Sequence, residues 1–278
     1  MNTLKLIICG WWCWLANPAL AGQPATVTYL GNTALMVKHE STQIMFDPFF
    51  HDHFGQYQLV PEALRQAIFA GEGEFGQVAV ILISHAHGDH FDAADLLRYL
   101  QQFPNTQLVA PTQAIHEIEA LAGHQAVAQQ IHPLDQARGD APVSLSLGSV
   151  SIEAVRIPHA GWPQRAHVAN LVYRVTLNEQ VTVMHLGDAD PDDRHFKQWQ
   201  AHWQARLTNQ AYPPYWFMLT PSGRQILADR INAHSAIGVH VPDPTPAALQ
   251  DSSHQIFNQP GQTLTIHPVP TKEPIAHE

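Results

Sequence analysis

Residues 84–90 carry the strongest signal in the chain, and they read Ser84-His85-Ala86-His87-Gly88-Asp89-His90. They directly follow Val78–Ser84, a continuous apolar run that predicts a strand buried on both faces. Two histidines two residues apart can point the same way from extended backbone, and Gly88 then permits a sharp turn before Asp89 and His90. Four possible ligands within six residues suit a pair of metal ions better than one. A chance cluster is the alternative, because the chain has 19 histidines.

Helix and strand signals alternate on both sides of this stretch. Asp92 can cap a helix, because Asp95 follows three residues later and Phe91 can contact Leu96. Strands are predicted at Thr26–Leu30, Ala34–Lys38, Gln43–Phe46, Gln107–Ala110, Val143–Leu147, Ser149–Ile157, Val168–Leu177, Val181–Leu186, Trp216–Leu219, Ile237–Val241 and Gln262–His267. Further helices are predicted at Pro61–Ala70, Thr112–Leu121, Arg194–Arg206 and Ser222–Ala233. This order predicts an α/β fold in two similar halves packed sheet to sheet.

The spacing His85-x-His87-x-Asp89-His90 resembles the HxHxDH motif of the metallo-β-lactamase superfamily. Four other segments resemble that superfamily in the same order along the chain: Tyr29–Ala34 with Ile44–Pro48, Ile157–His159, Leu186–Asp188 and Gly238–Pro242. The resemblance spans roughly residues 26 to 242. It implies a four-layer αβ/βα sandwich, in which two mixed sheets lie face to face and helices cover them outside.

The resemblance also implies a set of metal ligands, and the residue types agree with it. One ion would bind His85, His87 and His159, and the other would bind Asp89, His90 and His240, with Asp188 bridging the two. Imidazole and carboxylate ligands without thiolate suit two divalent ions, Zn²⁺ first, and also admit Mn²⁺ or iron. A hydroxide between the ions would be the nucleophile. Asp89 would orient it and is the predicted catalytic residue.

Several side chains have two interpretations at this level. Asp47 is either a carboxylate that orients a ligand imidazole or a turn residue. Asp190 competes with Asp188 as a ligand, and His234 competes with His240. His51 and His53 form either a further metal or substrate contact or a solvated loop. Tyr212 and Tyr215 belong either to an apolar pocket, where a hydroxyl could assist a leaving group, or to the core.

The resemblance narrows the chemistry to ester-like bonds. True β-lactamases of the superfamily lack the bridging aspartate, so Asp188 argues against antibiotic hydrolysis. Leu30–Ala34 and Phe46–Pro48 look most like the branch of sugar-phosphate lactonases and N-acyl-phospholipid phosphodiesterases. We therefore expect a hydrolase that acts on a lactone or phosphodiester within a small-molecule or lipid-like substrate. The alternative is a non-catalytic metal-binding or sensing protein on the same scaffold.

The N-terminal residues predict export. Lys5 precedes the apolar run Leu6–Ala16, and Ala19-Leu20-Ala21 resembles a cleavage site, so residues 1–21 read as a signal peptide rather than a buried helix. Residues 22–278 would then form a single periplasmic or secreted domain without cysteine, since Cys9 and Cys13 leave with the signal. A net charge of −10 without a basic run argues against nucleic-acid binding. We expect no stable membrane insertion, and the sequence leaves the oligomeric state open.

Overall fold

The computed structural model describes residues 22–268, and the predicted signal peptide lies outside the described residues. The described chain folds into two mixed sheets. The first sheet contains β1 (Ala25–Gly31), β2 (Ala34–His39), β3 (Thr42–Phe46), β4 (Val80–Leu82), β5 (Gln107–Pro111), β6 (Ile131–Leu134) and β13 (Thr263–Ile266). The second contains β7 (Val143–Leu147), β8 (Val150–Arg156), β9 (Leu171–Leu177), β10 (Val181–His185), β11 (Thr208–Tyr212) and β12 (Ala233–Ala236).

The strand order brings several strand ends to one edge of the molecule. The first sheet runs β13-β1-β2-β3-β4-β5-β6, with β3, β4, β5 and β6 mutually parallel. The second runs β12-β11-β10-β9-β8-β7, with β10, β11 and β12 parallel. Parallel neighbours end on the same side, so the loops that follow β3 and β4 lie near each other. The loop that follows β10 lies beside them, because the rings of Phe46 at the end of β3 and His185 at the end of β10 stack 4.9 Å apart across the two sheets.

Helices cover the outer faces of both sheets. They are α1 (Glu62–Ala70), α2 (Ala93–Gln102), α3 (Thr112–Glu119), α4 (Asp193–Lys197), α5 (Gln200–Gln204), α6 (Trp216–Leu219), α7 (Pro221–Asp229) and α8 (Ala247–Gln250). As predicted, the Asp92 carboxylate caps α2 by accepting the Asp95 backbone N–H at 2.8 Å.

Three buried apolar clusters define the layers. The central cluster joins residues of both sheets, such as Val27 and Val175. A second cluster packs the outer face of the first sheet against α1, α2 and α3, and a third packs the second sheet against α4, α5 and α7. Helix, sheet, sheet and helix therefore stack in that order, which confirms the predicted four-layer α/β sandwich.

The structure corrects the prediction in the second half. Trp216–Leu219 is a helix and not the predicted strand. The prediction failed because a four-residue apolar run has no periodicity that separates a strand from a buried helix. The predicted strand Ile237–Val241 lies just after β12 and makes only isolated bridges at Gly238 and Val239. The predicted helix Arg194–Arg206 is divided into α4 and α5.

Besides β12, which the sequence did not predict at Ala233–Ala236, strands β6 and β11 escaped prediction because their sequences are not apolar. In β11, Thr208, Asn209 and Gln210 are all buried, and the side chains of Asn209 and Gln210 have polar partners. The Asn209 amide oxygen accepts the Thr182 backbone N–H at 2.8 Å, and Gln210 accepts the Ser235 hydroxyl at 2.8 Å. In β6, Ile131–Leu134, Pro133 interrupts the strand signal. Within residues 22–268, no helix has the length and hydrophobicity needed to cross a bilayer.

Candidate metal centre

The histidines and aspartates singled out in the sequence meet at the shared sheet edge. Three groups each place their ligand atoms within 4.8 Å of one another. These groups are His85 with His87 and His159, His85 with Asp89 and His90, and His90 with Asp188 and His240. All seven side chains are buried except His87, which is half-buried.

The first group consists of three imidazoles from two loops. His85 and His87 follow β4, and their rings lie 4.7 Å apart in an edge-on arrangement. The His159 ring, in the loop after β8, lies 4.9 Å from His85 and 4.7 Å from His87. Its Nδ1 lies 2.7 Å from the Ala160 carbonyl oxygen, so Nδ1 carries the proton and Nε2 is left as an acceptor or ligand atom.

A second set of possible ligands, Asp89, His90 and His240, combines the end of the motif with a late loop. Asp89 Oδ2 lies 3.3 Å from His240 Nε2 and 3.6 Å from His90 Nε2. His240 follows Val239 and adopts φ +59°, and its backbone N–H donates to the Asn32 carbonyl at 2.9 Å. This left-handed conformation, uncommon for a non-glycine residue, turns the chain at the position where His240 joins the cluster.

Asp188 lies between the first set of imidazoles, which includes His159, and the second set, which includes His90 and His240. It directs one oxygen toward each set. Its Oδ1 is 3.2 Å from both His90 Nε2 and His240 Nε2, whereas its Oδ2 is 3.3 Å from His159 Nε2. Gly187 precedes it with φ +53°, and a Cβ there would lie 2.4 Å from Asn170 Oδ1. The Asn170 oxygen accepts the Asp188 backbone N–H at 2.9 Å, so this close approach places Asp188.

The buried ligand atoms suit divalent metal ions. His85 Nε2, His90 Nε2, His159 Nε2, His240 Nε2, Asp89 Oδ1 and Asp188 Oδ1 are all buried without a hydrogen-bond partner. Buried polar atoms are normally satisfied, so their concentration at one point calls for a ligand. Two ligands about 2.1 Å from one ion at a tetrahedral angle lie about 3.4 Å apart, close to the spacing of Asp188 from the three imidazoles. The donor set therefore fits the metal ions that the sequence implied.

Asp47 holds His90 in a defined tautomer. Asp47 follows β3, is fully buried, and its Oδ2 lies 2.9 Å from His90 Nδ1. The same carboxylate accepts the Ser84 backbone N–H at 2.7 Å and the Ser84 hydroxyl at 2.6 Å. The carboxylate next to Nδ1 keeps a proton there, so Nε2 is the ring atom that faces Asp188 and would bind metal.

Sequence reasoning assigned no role to Asn32 and Thr33, in the turn between β1 and β2. The Asn32 amide donates to the Asp89 carbonyl at 2.8 Å and to Asp89 Oδ2 at 3.3 Å. The Thr33 hydroxyl lies 3.0 Å from His90 Nδ1. The Thr33 backbone carbonyl accepts a hydrogen bond from His185 Nε2 at 3.0 Å. Their signal was available, because Asn32 and Thr33 lie inside the segment that resembles the family.

Burial and neighbouring charges set the protonation of the imidazoles. Burial and the surrounding imidazoles hold the pKa of His85 well below its ordinary value, and burial lowers that of His87 to about 4. Both rings are therefore neutral at pH 7, as metal ligands must be. Burial also opposes charge on His90, but the carboxylates of Asp188 and Asp89 raise its pKa well above the ordinary value. The carboxylates thus favour a cation at this point.

The competing residues lie elsewhere. Asp190 accepts the backbone N–H groups of Trp162 and Asp192, at 3.3 and 3.1 Å, and so stabilises its own loop. His234 is exposed on β12. His51 pairs with Asp95 at 3.0 Å, and Asp95 is also bound by Arg65. Nδ1 of His53 accepts the Gly55 N–H, as expected of a loop residue.

The two tyrosines near the late loop differ in position. Tyr212 is fully buried in the apolar cluster between the sheets, where its ring stacks on that of Phe257. Tyr215 is half-buried and stands edge-on to Trp216. Neither lines the cavities at the metal centre, whereas Tyr57 and Trp216 do.

Two neighbouring cavities, which share Tyr57, Arg165 and Asp188 as lining residues, open beside the cluster. One of about 330 Å³ is lined by His87, Asp89, Asp188 and His240, and one of about 450 Å³ by His159 and Asp188. Tyr57 lies in both walls, with its ring 4.1 Å from that of His240. Burial and the carboxylate of Asp188 raise the pKa of Tyr57, so its phenol is a neutral hydrogen-bond donor at pH 7. The cluster is thus accessible to a small molecule.

Comparisons with known proteins agree with this architecture. Igni18, a metallo hydrolase from Ignicoccus hospitalis, aligns over 87% of this chain and 98% of its own, with 16% identity and a TM-score of 0.56. The metallo-beta-lactamase fold protein YhfI from Bacillus subtilis aligns over 87% and 99%, with 14% identity and a TM-score of 0.57. A possible metal-dependent hydrolase from Veillonella parvula aligns over 87% and 99%, with 12% identity and a TM-score of 0.57. No curated protein sequence matches significantly.

The family profile described as the beta-lactamase superfamily domain matches residues 26–201, which is more than half of the chain. The matched range contains β1 through α4, and therefore the motif loop, His159 and Asp188. The fold, the cluster of possible metal ligands and the family profile agree, and the chain belongs to the beta-lactamase superfamily.

Proposed function

We propose that this protein hydrolyses an ester-like bond, in a lactone or a phosphodiester, with two divalent metal ions at the centre described above. Zn²⁺ is the ion we expect, and the imidazole and carboxylate donors also admit Mn²⁺ or iron. His85, His87 and His159 would hold one ion, Asp89, His90 and His240 the other, and Asp188 both. A small-molecule or lipid-like substrate would enter through the two cavities.

One observation carries the proposal. Asp188 offers its two oxygens to two separate groups of imidazoles, at 3.2–3.3 Å, within a cluster of buried atoms that have no other partner. A single ion would leave one of the two groups unsatisfied, and each unsatisfied buried polar atom costs about 1–3 kcal/mol. Two ions satisfy both groups.

The chain's own residues would divide the remaining work. Bound divalent ions supply Lewis acidity and activate water near neutral pH. Asp89 Oδ2 is engaged by Asn32, whereas its buried Oδ1 has no partner and can accept a hydrogen bond from the attacking water. The neutral phenol of Tyr57, in the cavity wall, can donate to a substrate oxygen.

The complete ligand set favours an enzyme over a non-catalytic metal binder. A protein that only retains metal needs neither a cavity beside the ions nor an unpartnered carboxylate oxygen on a residue that lines the cavity. Both features are present here. Turnover of a substrate distinguishes an enzyme from a non-catalytic metal binder.

The test combines metal analysis with a panel of lactone, phosphodiester and β-lactam substrates. We expect two ions per chain, and activity that chelators remove and metal restores. On a substrate found this way, Asp89→Asn should reduce turnover by about 10²-fold or more, or roughly 2.7 kcal/mol in transition-state stabilisation. Asp190→Asn is the matched control, since its carboxylate only stabilises a neighbouring loop. Wild-type turnover in Asp89→Asn would refute the mechanism, and loading that never exceeds one ion would refute the binuclear centre.

A further inference from the structure

Arg165 occupies a distinctive place beside the candidate centre. It lines both cavities, together with Tyr57 and Asp188. It is the one lysine or arginine among the residues that line either cavity. The cavity walls otherwise carry the carboxylates of Asp89 and Asp188, so Arg165 supplies the permanent positive charge on the protein side.

The exposed side chain of Arg165 has no hydrogen-bond or ion-pair partner within residues 22–268. Other arginines, such as Arg174 with Glu153 and Arg230 with Asp193, form ion pairs with carboxylates at 2.5 and 2.6 Å. Among residues 22–268, no carboxylate lies within ion-pair distance of Arg165. In a chain of net charge −10, an arginine that faces a cavity without a partner is available for an anion from outside.

The loop around Arg165 is anchored at both ends. The Arg165 N–H donates to the Gly161 carbonyl at 3.2 Å, and the Val168 N–H donates to the Arg165 carbonyl at 3.0 Å. The Gln113 side chain, in α3, donates to the His167 carbonyl at 2.6 Å and accepts the Ala169 N–H at 2.8 Å. The backbone around Arg165 is therefore already ordered by these hydrogen bonds, so ligand binding does not lose backbone entropy there.

An apolar surface faces the same cavity. Phe54 is 57% exposed and lines the cavity that contains Arg165. Its loop is attached to the motif, because the Asp52 N–H donates to the Gly88 carbonyl at 2.9 Å and the Phe54 N–H donates to Asp52 Oδ1 at 2.8 Å. An exposed phenylalanine at the mouth of a polar cavity is suited to cover an apolar substituent of a ligand.

We propose that Arg165 binds an oxyanion of the substrate, either that of the cleaved phosphodiester itself or a carboxylate next to the cleaved bond, and that Phe54 covers the apolar substituent of the substrate. This inference rests on the proposed function for the position of the cleaved bond. The binding of the anion by Arg165 does not depend on turnover. A guanidinium can contact two oxygens of either oxyanion at once, which a neutral ester cannot reproduce.

The experiment measures binding by calorimetry on metal-loaded protein. The probes are methyl phenylphosphonate, a monoanion, its neutral dimethyl ester, and phenylacetate as the carboxylate. Arg165→Ala should weaken binding of at least one anion about tenfold, equivalent to about 1.4 kcal/mol, and change binding of the neutral ester less than twofold. Arg165→Lys should lie between wild type and Arg165→Ala. Arg98→Ala, an exposed arginine on α2, controls for the same loss of charge.

The outcomes separate the two proposals. Loss of anion binding in Arg165→Ala supports the inference even if no hydrolysis is found, and the more affected probe identifies the oxyanion as phosphodiester or carboxylate. Equal anion affinities in Arg165→Ala, Arg98→Ala and wild type would overturn it even if hydrolysis is established. Equal losses for the anions and the neutral ester would also overturn it. Thermal unfolding of each variant verifies that the fold is intact.

Discussion

Replacing Asp47 with asparagine tests whether this carboxylate orients a metal ligand or only stabilises a turn. Asp47 Oδ1 accepts the Ser84 N–H, and Oδ2 accepts from the Ser84 hydroxyl and contacts His90 Nδ1. An asparagine has one oxygen, so it must either lose the Ser84 N–H or direct its NH₂ group at His90. Asparagine tolerates the left-handed backbone at φ +46° as aspartate does, so strain does not confound the result.

The geometry sets the size of the effect. If the NH₂ group faces His90 Nδ1, then Nδ1 must accept, and the proton moves to Nε2, the atom that would bind metal. Changes to partners of this kind typically cost 10–100-fold in metal affinity, or about 1.4–2.7 kcal/mol. If the NH₂ group instead faces Ser84, a buried N–H is left without a partner, at about 1–3 kcal/mol in the free energy of unfolding of the metal-free protein.

A competitive zinc titration against a chromogenic chelator distinguishes the two results. We expect Asp47→Asn to weaken the site that contains His90, while the site of His85, His87 and His159 keeps its affinity. Asp190→Asn makes the same substitution in a loop next to the centre and should leave both affinities unchanged. If Asp47→Asn lowers the thermal stability but both zinc affinities stay at the wild-type value, the carboxylate is a turn residue and the reasoning is wrong.

Three further predictions concern the centre, the fold and export. Asp188→Ala should weaken both metal sites, since each carboxylate oxygen of Asp188 faces different imidazoles, whereas His240→Ala should chiefly empty one site. Mass spectrometry that counts the bound metal ions checks this prediction, and equal losses of metal in the two variants would contradict it. Burial raises the pKa of Glu153, but the hydrogen bond to Arg174 and the neighbouring positive charges together lower the pKa below its ordinary value near 4.5. The stabilisation is therefore present above that ordinary value and is lost as the pH falls through the lowered pKa. Glu153→Gln should therefore reduce the free energy of unfolding by about 1.5–3 kcal/mol at pH 7, and by progressively less as the pH is lowered below the ordinary pKa, measured by denaturant titration at a series of pH values. If residues 1–21 are a signal peptide, protein from the native host should begin near Gly22, and intact Met1 on the isolated protein would contradict export.

The sequence by itself determined the family, the four-layer architecture and the identity of the clustered residues. The motif His85–His90 follows a buried strand, and that combination specifies both a sheet edge and a set of ligand types. Lone residues such as His159 and Asp188 were recognisable because they follow strands in the expected order. Strands with strong apolar runs, such as β9 and β10, were predicted because burial on both faces leaves a direct mark on composition.

Only the tertiary structure decided which residues orient the possible metal ligands and which line the cavities beside them. Asp47 and His90 are 43 positions apart, and Asn32 and Asp89 are 57 apart, so their hydrogen bonds depend on how β1, β3 and β4 pair. Asp188 and Asp190 are indistinguishable as ligand types, and the turn at Gly187 decides that Asp188 faces the imidazoles. Tyr212, expected as a possible pocket residue, lies in the core, while Tyr57 and Arg165 line the cavities from loops without a motif. Sequence patterns report burial and local periodicity, whereas the contacts between distant loops arise only when the strands that carry them are aligned.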